Sequence, residues 1–217
     1  MTELFPRSFT RVSSKLGVAV TDHTGHRTDA GTTPTVLVVD DQPELTSLYA
    51  TWLSGPFVVR TANDGTEALE RLDDAVDVVL LDRRIPGFSG DDLLVEIRER
   101  GFDVPVAMIT AVEPDVDIIA MGFDEYVLKP LGRDDLHSVV RSLLARSAYD
   151  ATLTEFYALA SKRAALLDTH SAEELADSAA YADLLDRLAD LETRLDANLS
   201  TFTRDDYHTA FRALGTD

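Results

Sequence analysis

Short apolar runs alternate with amphipathic segments between Thr35 and about Arg146. The runs are rich in Val, Ile and Leu and end at turn residues, which is typical of strands buried on both faces of a parallel sheet. They predict strands at Thr35–Asp40, Phe57–Ala62, Val76–Asp82, Val104–Thr110 and Glu125–Leu128. This alternation predicts a doubly wound α/β domain with helices on both sides of the sheet.

A helix is predicted after each of these strands. The five helices are expected at Pro43–Leu53, from Asp64 onward, at Gly90–Arg100, at Asp115–Met121 and at Asp134–Arg146. The spacing of Leu45, Leu48 and Trp52 places them on the buried face of the first helix. Asp64 is the predicted N-cap of the second helix, with Glu67 at position N3.

Strand signals stop after Ser147, and two amphipathic helices are predicted instead. Thr152 and Glu155 form a capping box that would open the first helix, and Ser171 and Glu174 would open the second. Spacings of three and four predict one buried apolar stripe on each helix, at Leu153, Tyr157, Ala160, Ala164 and Leu167, and at Tyr181, Leu184, Leu188, Leu191 and Leu195. The pattern predicts a helical hairpin, and the tail from Ser200 is compatible with a further short helix.

Residues 1–33 show no lasting periodicity and contain 10 Ser or Thr residues. Such a segment is predicted to be a disordered arm, with a wrongly assigned start codon as the alternative interpretation. The chain is therefore expected to divide into an arm (1–33), an α/β domain (34–147) and a helical output or interaction domain (148–217).

Acidic residues dominate the composition of this 217-residue chain, with 39 acidic against 20 basic residues and a net charge of −19. An Asp-rich surface with only three Lys is typical of halophilic proteins, although an ordinary acidic protein would also fit. The absence of Cys excludes disulfides and thiolate metal sites. No apolar stretch approaches the ~20 residues that cross a bilayer, and the first residues lack an apolar signal region. A cytoplasmic location is therefore expected.

Polar residues stand where four predicted strands end. Asp40 and Asp41 follow the first strand, Asp82 ends the third, and Thr110 and Lys129 end the fourth and fifth. The carboxyl ends of parallel strands meet at one rim, where ligands bind. Crowded carboxylates need a cation between them, and Mg²⁺ prefers oxygen ligands. The pattern predicts a site for Mg²⁺ and a phosphoryl group, with helix capping as the structural alternative for the Asp pair.

Five stretches in this order, VLVVDDQPE, TANDGTEALE, DVVLLDRRIPGFSGDDLL, VAMIT and DEYVLKPL, resemble the receiver domain of two-component response regulators. The resemblance implies a flavodoxin-like fold with a five-stranded parallel sheet in the order 2-1-3-4-5. It implies that Asp82 accepts a phosphoryl group from a phosphohistidine on a sensor histidine kinase. It also implies that Asp41, Asp82 and the backbone carbonyl of Arg84 bind Mg²⁺ directly, with Asp40 acting mainly through water.

The same resemblance implies that Thr110 and Lys129 contact the phosphoryl oxygens. Tyr126 would be the aromatic switch that moves inward when Thr110 is drawn to the phosphoryl group. Arg83 and Arg84 depart from the smaller or apolar residue that often follows the acceptor in this family. Arg84 is close enough in sequence to reach the phosphoryl group and alter the lifetime of the phosphorylated state.

The segment FYALASKRAALLD and the hairpin after it resemble the small helical module, of HalX type, that follows receivers in halophilic archaea. Residues 147–217 carry 14 acidic and 6 basic residues, a net charge of −8, whereas nucleic-acid-binding modules show a basic face. The module is therefore expected to act as a homodimer or through a protein partner, and neither nucleic acid nor membrane is an expected partner.

Three other functions fit parts of the pattern. An Mg²⁺-dependent aspartyl phosphatase also uses an Asp nucleophile, but typically within an Asp-x-Asp pair, and Arg83 follows Asp82 here. A nucleotide hydrolase would need a Gly-x-x-x-x-Gly-Lys-Ser/Thr loop, which the chain lacks. An unphosphorylated scaffold receiver is the third alternative. The residues favour a signalling protein that promotes only its own phosphorylation and dephosphorylation, rather than an enzyme.

Overall fold

The computed structural model describes residues 32–214 of the chain. The predicted disordered arm lies, except for its last two residues, outside the described residues and stays a prediction.

Five strands form one parallel sheet in the order β2-β1-β3-β4-β5. The strands are β1 (Thr35–Val39), β2 (Val58–Ala62), β3 (Val78–Leu81), β4 (Val106–Thr110) and β5 (Glu125–Leu128). Strand β1 pairs with β2 on one side and with β3 on the other, so the order of strands reverses at β1. The predicted fold class and strand order are confirmed.

Within the described residues, six α-helices and one 3-10 helix accompany the strands. The α-helices are α1 (Pro43–Leu53), α2 (Gly65–Arg71), α3 (Gly90–Glu99), α4 (Arg133–Thr169), α5 (Ala172–Ala176) and α6 (Ala179–Leu214). None of these described helices is both long and apolar enough to span a bilayer.

Two apolar clusters cover the two faces of the sheet. Leu37 and Val39 of β1 join the cluster under α2 and α3, while Val36 and Val38 join the cluster under α1 and α4. Successive side chains of a strand point to opposite faces, so a strand buried on both faces must be apolar throughout. This arrangement explains the unbroken apolar runs in the sequence.

Helix α1 buries a face that differs from the predicted one. Leu48 is 40% exposed, and the other two predicted residues are only half-buried, whereas Thr46, Tyr49 and Leu53 are buried. The small side chain of Thr46 tolerates burial because its hydroxyl donates to the carbonyl of Pro43 at 3.1 Å. The buried face is therefore centred about one residue from the predicted stripe.

The segment predicted as a helix at Asp115–Met121 is a 3-10 helix at Val116–Ala120. Its hydrogen bonds run over three residues, from Ile118 N–H to the carbonyl of Asp115 and from Met121 N–H to the carbonyl of Ile118. Pro114 precedes the segment and Gly122 follows it, which leaves room for a single tight turn.

The predicted starts of α2 and α5 are confirmed. The carboxylate of Asp64 accepts the N–H of Glu67 at 2.8 Å. Ser171 accepts the N–H of Glu174 through its hydroxyl, and Glu174 accepts the N–H of Ser171 through its carboxylate. Both helices thus begin where local capping residues satisfy free N–H groups. The helix that begins after Ser171, however, ends at Ala176, and the predicted stripe lies on a separate helix that begins at Ala179.

Helix α4 departs most from the predicted secondary structure. The helix predicted to end at Arg146 and the helix predicted to begin after Thr152 are one continuous helix. Thr152 is buried and its hydroxyl donates to the carbonyl of Ala148 at 2.7 Å, so it does not act as a helix cap. No Gly or Pro interrupts the helix. The proposed boundary between residues 147 and 148 consequently lies inside a helix.

Two side chains anchor α4 to the α/β domain. His137 is buried, and its Nε2 donates to the carbonyl of Trp52 at 2.8 Å, near the end of α1. Arg146 pairs with Glu125 at the start of β5. The first third of α4 is therefore held between α1 and the last strand of the sheet.

Helix α6 returns along the second half of α4 and completes a helical hairpin, which confirms that prediction. The predicted stripe on α6 faces inward, with Leu191 fully buried and its other members half-buried. Helix α6 continues to Leu214, so the tail from Ser200 is helical as predicted, but it extends α6 instead of forming a further short helix.

The stripe predicted on the α4 side of the hairpin faces outward in part. Tyr157 is 63% exposed and Leu167 is 47% exposed, whereas Thr152 is buried and Phe156 is half-buried. Apolar residues occupy two adjacent stripes of this helix, and the position of α6 selects the stripe that begins one residue earlier.

Candidate phosphoacceptor site

The ends of strands β1, β3, β4 and β5 bring the predicted site residues to one rim. The N–H of Asp82 donates to the carbonyl of Val39 at 2.8 Å, and the N–H of Lys129 donates to the carbonyl of Thr110 at 2.8 Å. These bonds extend the sheet ladder by one residue, so the side chains are fixed relative to one another by backbone pairing.

Lys129 joins the two buried carboxylates of the rim. Its ammonium Nζ donates to Oδ2 of Asp40 at 2.6 Å and to Oδ1 of Asp82 at 2.8 Å. Asp40 is 2% exposed and Asp82 is 6% exposed. Buried charges are stable only when they are paired and hydrogen-bonded, so these three side chains form one interdependent cluster.

The cluster shifts the pKa of two groups. Burial acts to lower the pKa of the Lys129 ammonium, but hydrogen bonds and charge attraction from Asp40 and Asp82 outweigh it and raise that pKa above its usual value. Burial also raises the pKa of the Tyr49 hydroxyl, which feels the charges of Lys129, Asp40 and Asp82. At neutral pH, Lys129 is therefore charged and Tyr49 is neutral.

Asp41 is half-buried and does not cap α1. The N-cap of α1 is Gln42, which makes no side-chain capping bond, and the N–H of Gln42 donates to Oδ1 of Asp40 at 3.0 Å. Among residues 32–214 the Asp41 carboxylate has no hydrogen-bond or ion-pair partner. It is therefore available to an incoming ligand.

Thr110 and Tyr126 are linked through the backbone of Val112. The hydroxyl of Thr110 accepts the N–H of Val112 at 3.2 Å, and the hydroxyl of Tyr126 donates to the carbonyl of Val112 at 2.9 Å. The Tyr126 ring also lies 5.5 Å from the ring of Phe123. The hydroxyls of Thr110 and Tyr126 therefore both contact the backbone of the same residue.

The two arginines after the acceptor have different environments. The N–H of Arg84 donates to Oδ2 of Asp82 at 2.8 Å, while its side chain is exposed. The guanidinium of Arg83 donates from Nε to both carboxylate oxygens of Asp91 at 3.1 Å. The Arg83 side chain therefore points toward α3. The Arg84 side chain is exposed to solvent beside Asp82.

Gly90 allows α3 to begin against the backbone of the acceptor. A Cβ atom at Gly90 would lie 2.2 Å from the carbonyl oxygen of Asp82 and 2.8 Å from Cα of Arg83. The N–H of Gly90 donates to the carbonyl of Arg83 at 3.0 Å. Only glycine fits at this distance, so it helps to fix the position of the acceptor.

An open cleft of about 420 Å³ lies beside the two residues that follow Asp82. Its walls come from the loop after β3, the start of α3 and the loop after β4. The lining residues are Arg83, Arg84, Asp91, Val112, Glu113 and Asp115.

The donor set of the rim fits Mg²⁺ but not a metal bound by protein side chains alone. The described residues contain no group of three or more acidic or histidine side chains arranged to hold a metal ion. Mg²⁺ typically uses one or two carboxylates and completes its shell with water and phosphoryl oxygens. The unpartnered carboxylate of Asp41, which follows β1, and the buried carboxylate of Asp82, which follows β3, are two oxygen donors of this kind.

Comparison with known families assigns both parts of the chain. Residues 36–141 match the response regulator receiver domain, and residues 145–211 match the HalX domain. The chain therefore carries a receiver domain followed by a HalX domain. The receiver is homologous to those of response regulators such as CpxR and RegX3.

Several curated relatives match the receiver–HalX chain. It is 53% identical over 154 residues to a Haloferax volcanii protein named "Putative transcriptional regulator", covering 70% of this chain and 26% of that protein. It is 40% identical over 117 residues to the "Transcriptional regulatory protein CpxR homolog" of Haemophilus influenzae, covering 52% of this chain and 51% of the relative. It is 37% identical over 120 residues to the "Sensory transduction protein RegX3" of Mycobacterium bovis, with coverages of 53% and 52%. The chain spans about half the length of these last two relatives and less of the first.

A solved structure supports the receiver fold. The crystal structure of a CheY-like response regulator receiver domain protein from Methanospirillum hungatei is similar with a TM-score of 0.51 and 21% identity, covering 55% of this chain and 99% of that one. At this identity the likeness concerns the fold of the receiver alone.

Sequence reasoning placed Asp40, Asp82, Thr110 and Lys129 at one rim, where the structure brings them together. It missed Tyr49 and Gly90. A Gly at the first position of a helix is a poor helix former and signals a close backbone approach, so Gly90 carried a readable signal. Tyr49 carried none, because its neighbours come from distant parts of the chain.

Proposed function

We propose that this protein is a response regulator that accepts a phosphoryl group on Asp82 and passes the change to its HalX domain. The observation that carries the proposal is the buried bridge from the Lys129 ammonium to the carboxylates of Asp40 and Asp82, at 2.6 and 2.8 Å. This bridge holds the carboxylate of Asp82 beside the positively charged ammonium of Lys129, next to the open cleft.

In the proposed reaction an oxygen of Asp82 attacks the phosphorus of a phosphohistidine on a sensor histidine kinase. A P–O bond forms while the P–N bond breaks, and the electron pair of the broken bond stays on the imidazole nitrogen. A carboxylate is a weak nucleophile, so the rate must come from positioning and charge neutralisation. Lys129 and the Arg84 N–H each hold one oxygen of Asp82, and the Thr110 hydroxyl would donate to a phosphoryl oxygen.

Asp41, Asp82 and the backbone carbonyl of Arg84 would hold Mg²⁺ directly, with Asp40 acting through water. Bound Mg²⁺ supplies positive charge to the transferring phosphoryl group and separates the carboxylates. The lack of any partner for Asp41 among the described residues supports its role as a direct ligand.

The proposed switch runs from Thr110 to Tyr126 through Val112. When the Thr110 hydroxyl turns to a phosphoryl oxygen, it gives up the N–H of Val112. The backbone of Val112 could then move, and the Tyr126 hydroxyl, which donates to the carbonyl of Val112, would move with it. The Tyr126 ring would turn inward as a result. Tyr126 lies on β5 next to Glu125, the partner of Arg146 on α4, so the movement has a route to the HalX domain.

The proposed division is a receiver over residues 34–147 and a HalX hairpin over 148–217, which the matched segments support. The HalX domain is proposed to act through protein contacts rather than nucleic acid, because residues 147–217 carry a net charge of −8. The names of two of these relatives refer to transcription, but the chain covers about half or less of each. The protein is proposed to work in the cytoplasm, where it would catalyse no reaction beyond its own phosphorylation and dephosphorylation.

Phosphorylation by acetyl phosphate and Mg²⁺ tests the acceptor. Wild type should take up one phosphoryl group on a phosphate-retarding gel, and Asp82→Asn should take up none. Asp91→Asn is the matched control, since Asp91 lines the same cleft, and should label like wild type. Labelling of Asp82→Asn would contradict the assignment. An unlabelled wild type would favour a scaffold receiver, and steady turnover of acetyl phosphate at a rate typical of enzymes would favour a phosphatase.

Magnesium titration tests the separate roles of Asp40 and Asp41. Binding, followed by Trp52 fluorescence or by calorimetry, should weaken more in Asp41→Ala than in Asp40→Ala, because only the first removes a direct ligand. Equal losses would contradict the proposed roles.

A further inference from the structure

The two broad faces of the HalX hairpin differ in character. One face carries an ion-pair chain in which Arg187 pairs with Glu155 at 2.9 Å and with Asp190 at 3.1 Å, and Arg194 lies 4.0 Å from Asp190. All four side chains are more than 40% exposed. This face is a solvated, charged surface.

Tyr157 and Leu185 lie on the opposite face. Tyr157 follows Glu155 by two residues on α4, and Leu185 precedes Arg187 by two residues on α6. Because the two helices are antiparallel, Tyr157 and Leu185 lie at the same height along the hairpin. Two residues of an α-helix turn about 200°, which points both side chains away from the charged face. Their exposures of 63% and 39% agree with this placement.

The surface around these two residues is uncharged. It consists of Tyr157, Ala160, Ala164 and Leu167 on α4 and Ala182 and Leu185 on α6, and we call it the alanine-rich face. Asp150, Asp168 and Glu192 are acidic residues beyond its edges. In a chain of net charge −19, an uncharged strip that exposes Tyr157 and Leu185 is a candidate contact surface.

We propose that the alanine-rich face binds the same face of a second copy of this chain, so that two hairpins form a four-helix arrangement. In a two-fold dimer each copy presents the same surface to the other. If the two copies met through their acidic surfaces, like charges would therefore lie opposite one another. The uncharged face avoids that repulsion, and its small alanines allow close helix packing. A basic protein or another cationic partner would instead be drawn to the acidic surfaces.

The size of the face predicts a weak dimer. The ten steps along α4 from Tyr157 to Leu167 rise about 15 Å, and two helices are about 20 Å wide, which gives roughly 300 Å² per copy. Stable interfaces bury at least about 1,200 Å² in total. The dimer should therefore depend on protein concentration, and it should tighten in molar KCl, where repulsion between the acidic chains is screened.

Sedimentation of the full chain over a range of concentrations in molar KCl tests the proposal. Wild type should show a monomer–dimer equilibrium. Tyr157→Asp and Leu185→Asp should be monomeric with unchanged helicity, because both side chains are exposed in one copy. Ala158→Asp adds the same charge at the next, exposed position, turned about 100° away, and should dimerise like wild type.

Asp82→Asn should also dimerise like wild type, so that the test does not depend on the phosphoacceptor function. A dimer that persists in both Tyr157→Asp and Leu185→Asp would overturn the proposal. A wild type that stays monomeric at every concentration would overturn it too, and would leave the alanine-rich face to a different protein.

Discussion

The receiver and the HalX hairpin bury their residues in different ways. The receiver closes apolar layers over both faces of its sheet and keeps a charged cluster of Asp40, Asp82 and Lys129 inside the rim. The hairpin has one seam, in which Leu191 and Leu175 are the deeply buried apolar residues of its described part. A two-sided core can hold a buried polar site, whereas a single seam depends on each residue in it and on the helix that continues from the receiver.

Leu191→Asp should produce the largest effect and should confine it to the hairpin. Losing a buried Leu costs about 2–5 kcal/mol, and burying an unpaired carboxylate adds to that cost. Circular dichroism should show a loss of helix, while phosphorylation of Asp82 should continue. Thr193→Asp on the exposed side of α6 is the control and should keep its helicity. Loss of both helix and phosphorylation in Leu191→Asp would show that the two regions unfold together.

Gly90→Ala should give the complementary result in the receiver. The added Cβ would meet backbone atoms of Asp82 and Arg83 that cannot move aside independently, and such overpacking costs about 1–3 kcal/mol. The variant should melt earlier and accept phosphate more slowly. Gly122→Ala is the control, since its Cβ would meet only the Arg98 side chain at 3.8 Å. An unaffected Gly90→Ala would contradict the close fit at the acceptor.

Salt should stabilise both regions. The 39 acidic and 20 basic residues make repulsion the dominant long-range interaction, and the Debye length falls from about 10 Å at 0.1 M to about 3 Å at 1 M. Salts can also strengthen apolar burial. Thermal melts in increasing KCl should therefore shift upward by at least a few degrees. A melting temperature that is flat or falls would contradict both the repulsion and the halophilic surface.

Alkaline pH should weaken the receiver before the hairpin. The pKa values of Lys129 and Tyr49 are both raised in the folded state, so the folded chain holds these protons more tightly than the unfolded chain. Their contribution is complete below about pH 10 and is lost as the pH rises further. Tyr49→Phe should make the decline of unfolding free energy above pH 10 shallower. An unchanged slope would show that the Tyr49 hydroxyl does not sense the cluster.

Arg187→Ala should give the smallest effect. Its pairs with Glu155 and Asp190 are exposed, and exposed pairs contribute about 0–1 kcal/mol. The loss should be measurable by thermal melting at low salt and should disappear in 1 M KCl. A loss that persists at high salt would mean that Arg187 stabilises the hairpin through packing of its apolar stem.

The strands and the rim were predictable because burial on both faces makes each strand an unbroken apolar run. The polar residue that ends such a run, as Asp82 and Thr110 do, is then easily recognised and must lie at the carboxyl edge. No comparable signal marked Tyr49, which meets Lys129 only after the chain has folded.

The buried faces of α1 and of the second half of α4 were predicted about one residue away from their true positions. On α1 the neighbours Leu48 and Tyr49 are both apolar, and on α4 so are Phe156 and Tyr157. Periodicity accepts either member of such a pair, and the element packed against the helix decides between them. Thr152 likewise matched a capping motif, but with no Gly or Pro nearby the helix continued through it.

Helix α4 is unbroken and runs from the receiver into the hairpin, so it connects the two domains rigidly. Contacts of His137 and Arg146 hold its first part, from Arg133 to Arg146, against the receiver. The remaining 23 residues, to Thr169, extend about 35 Å at 1.5 Å per residue. A tilt of only about 5° at Arg146 would move the end of α4 at Thr169 by about 3 Å, roughly the donor–acceptor distance of a hydrogen bond. Because no Gly or Pro interrupts α4, a small rearrangement around β5 would reach the tip of the hairpin as a larger displacement.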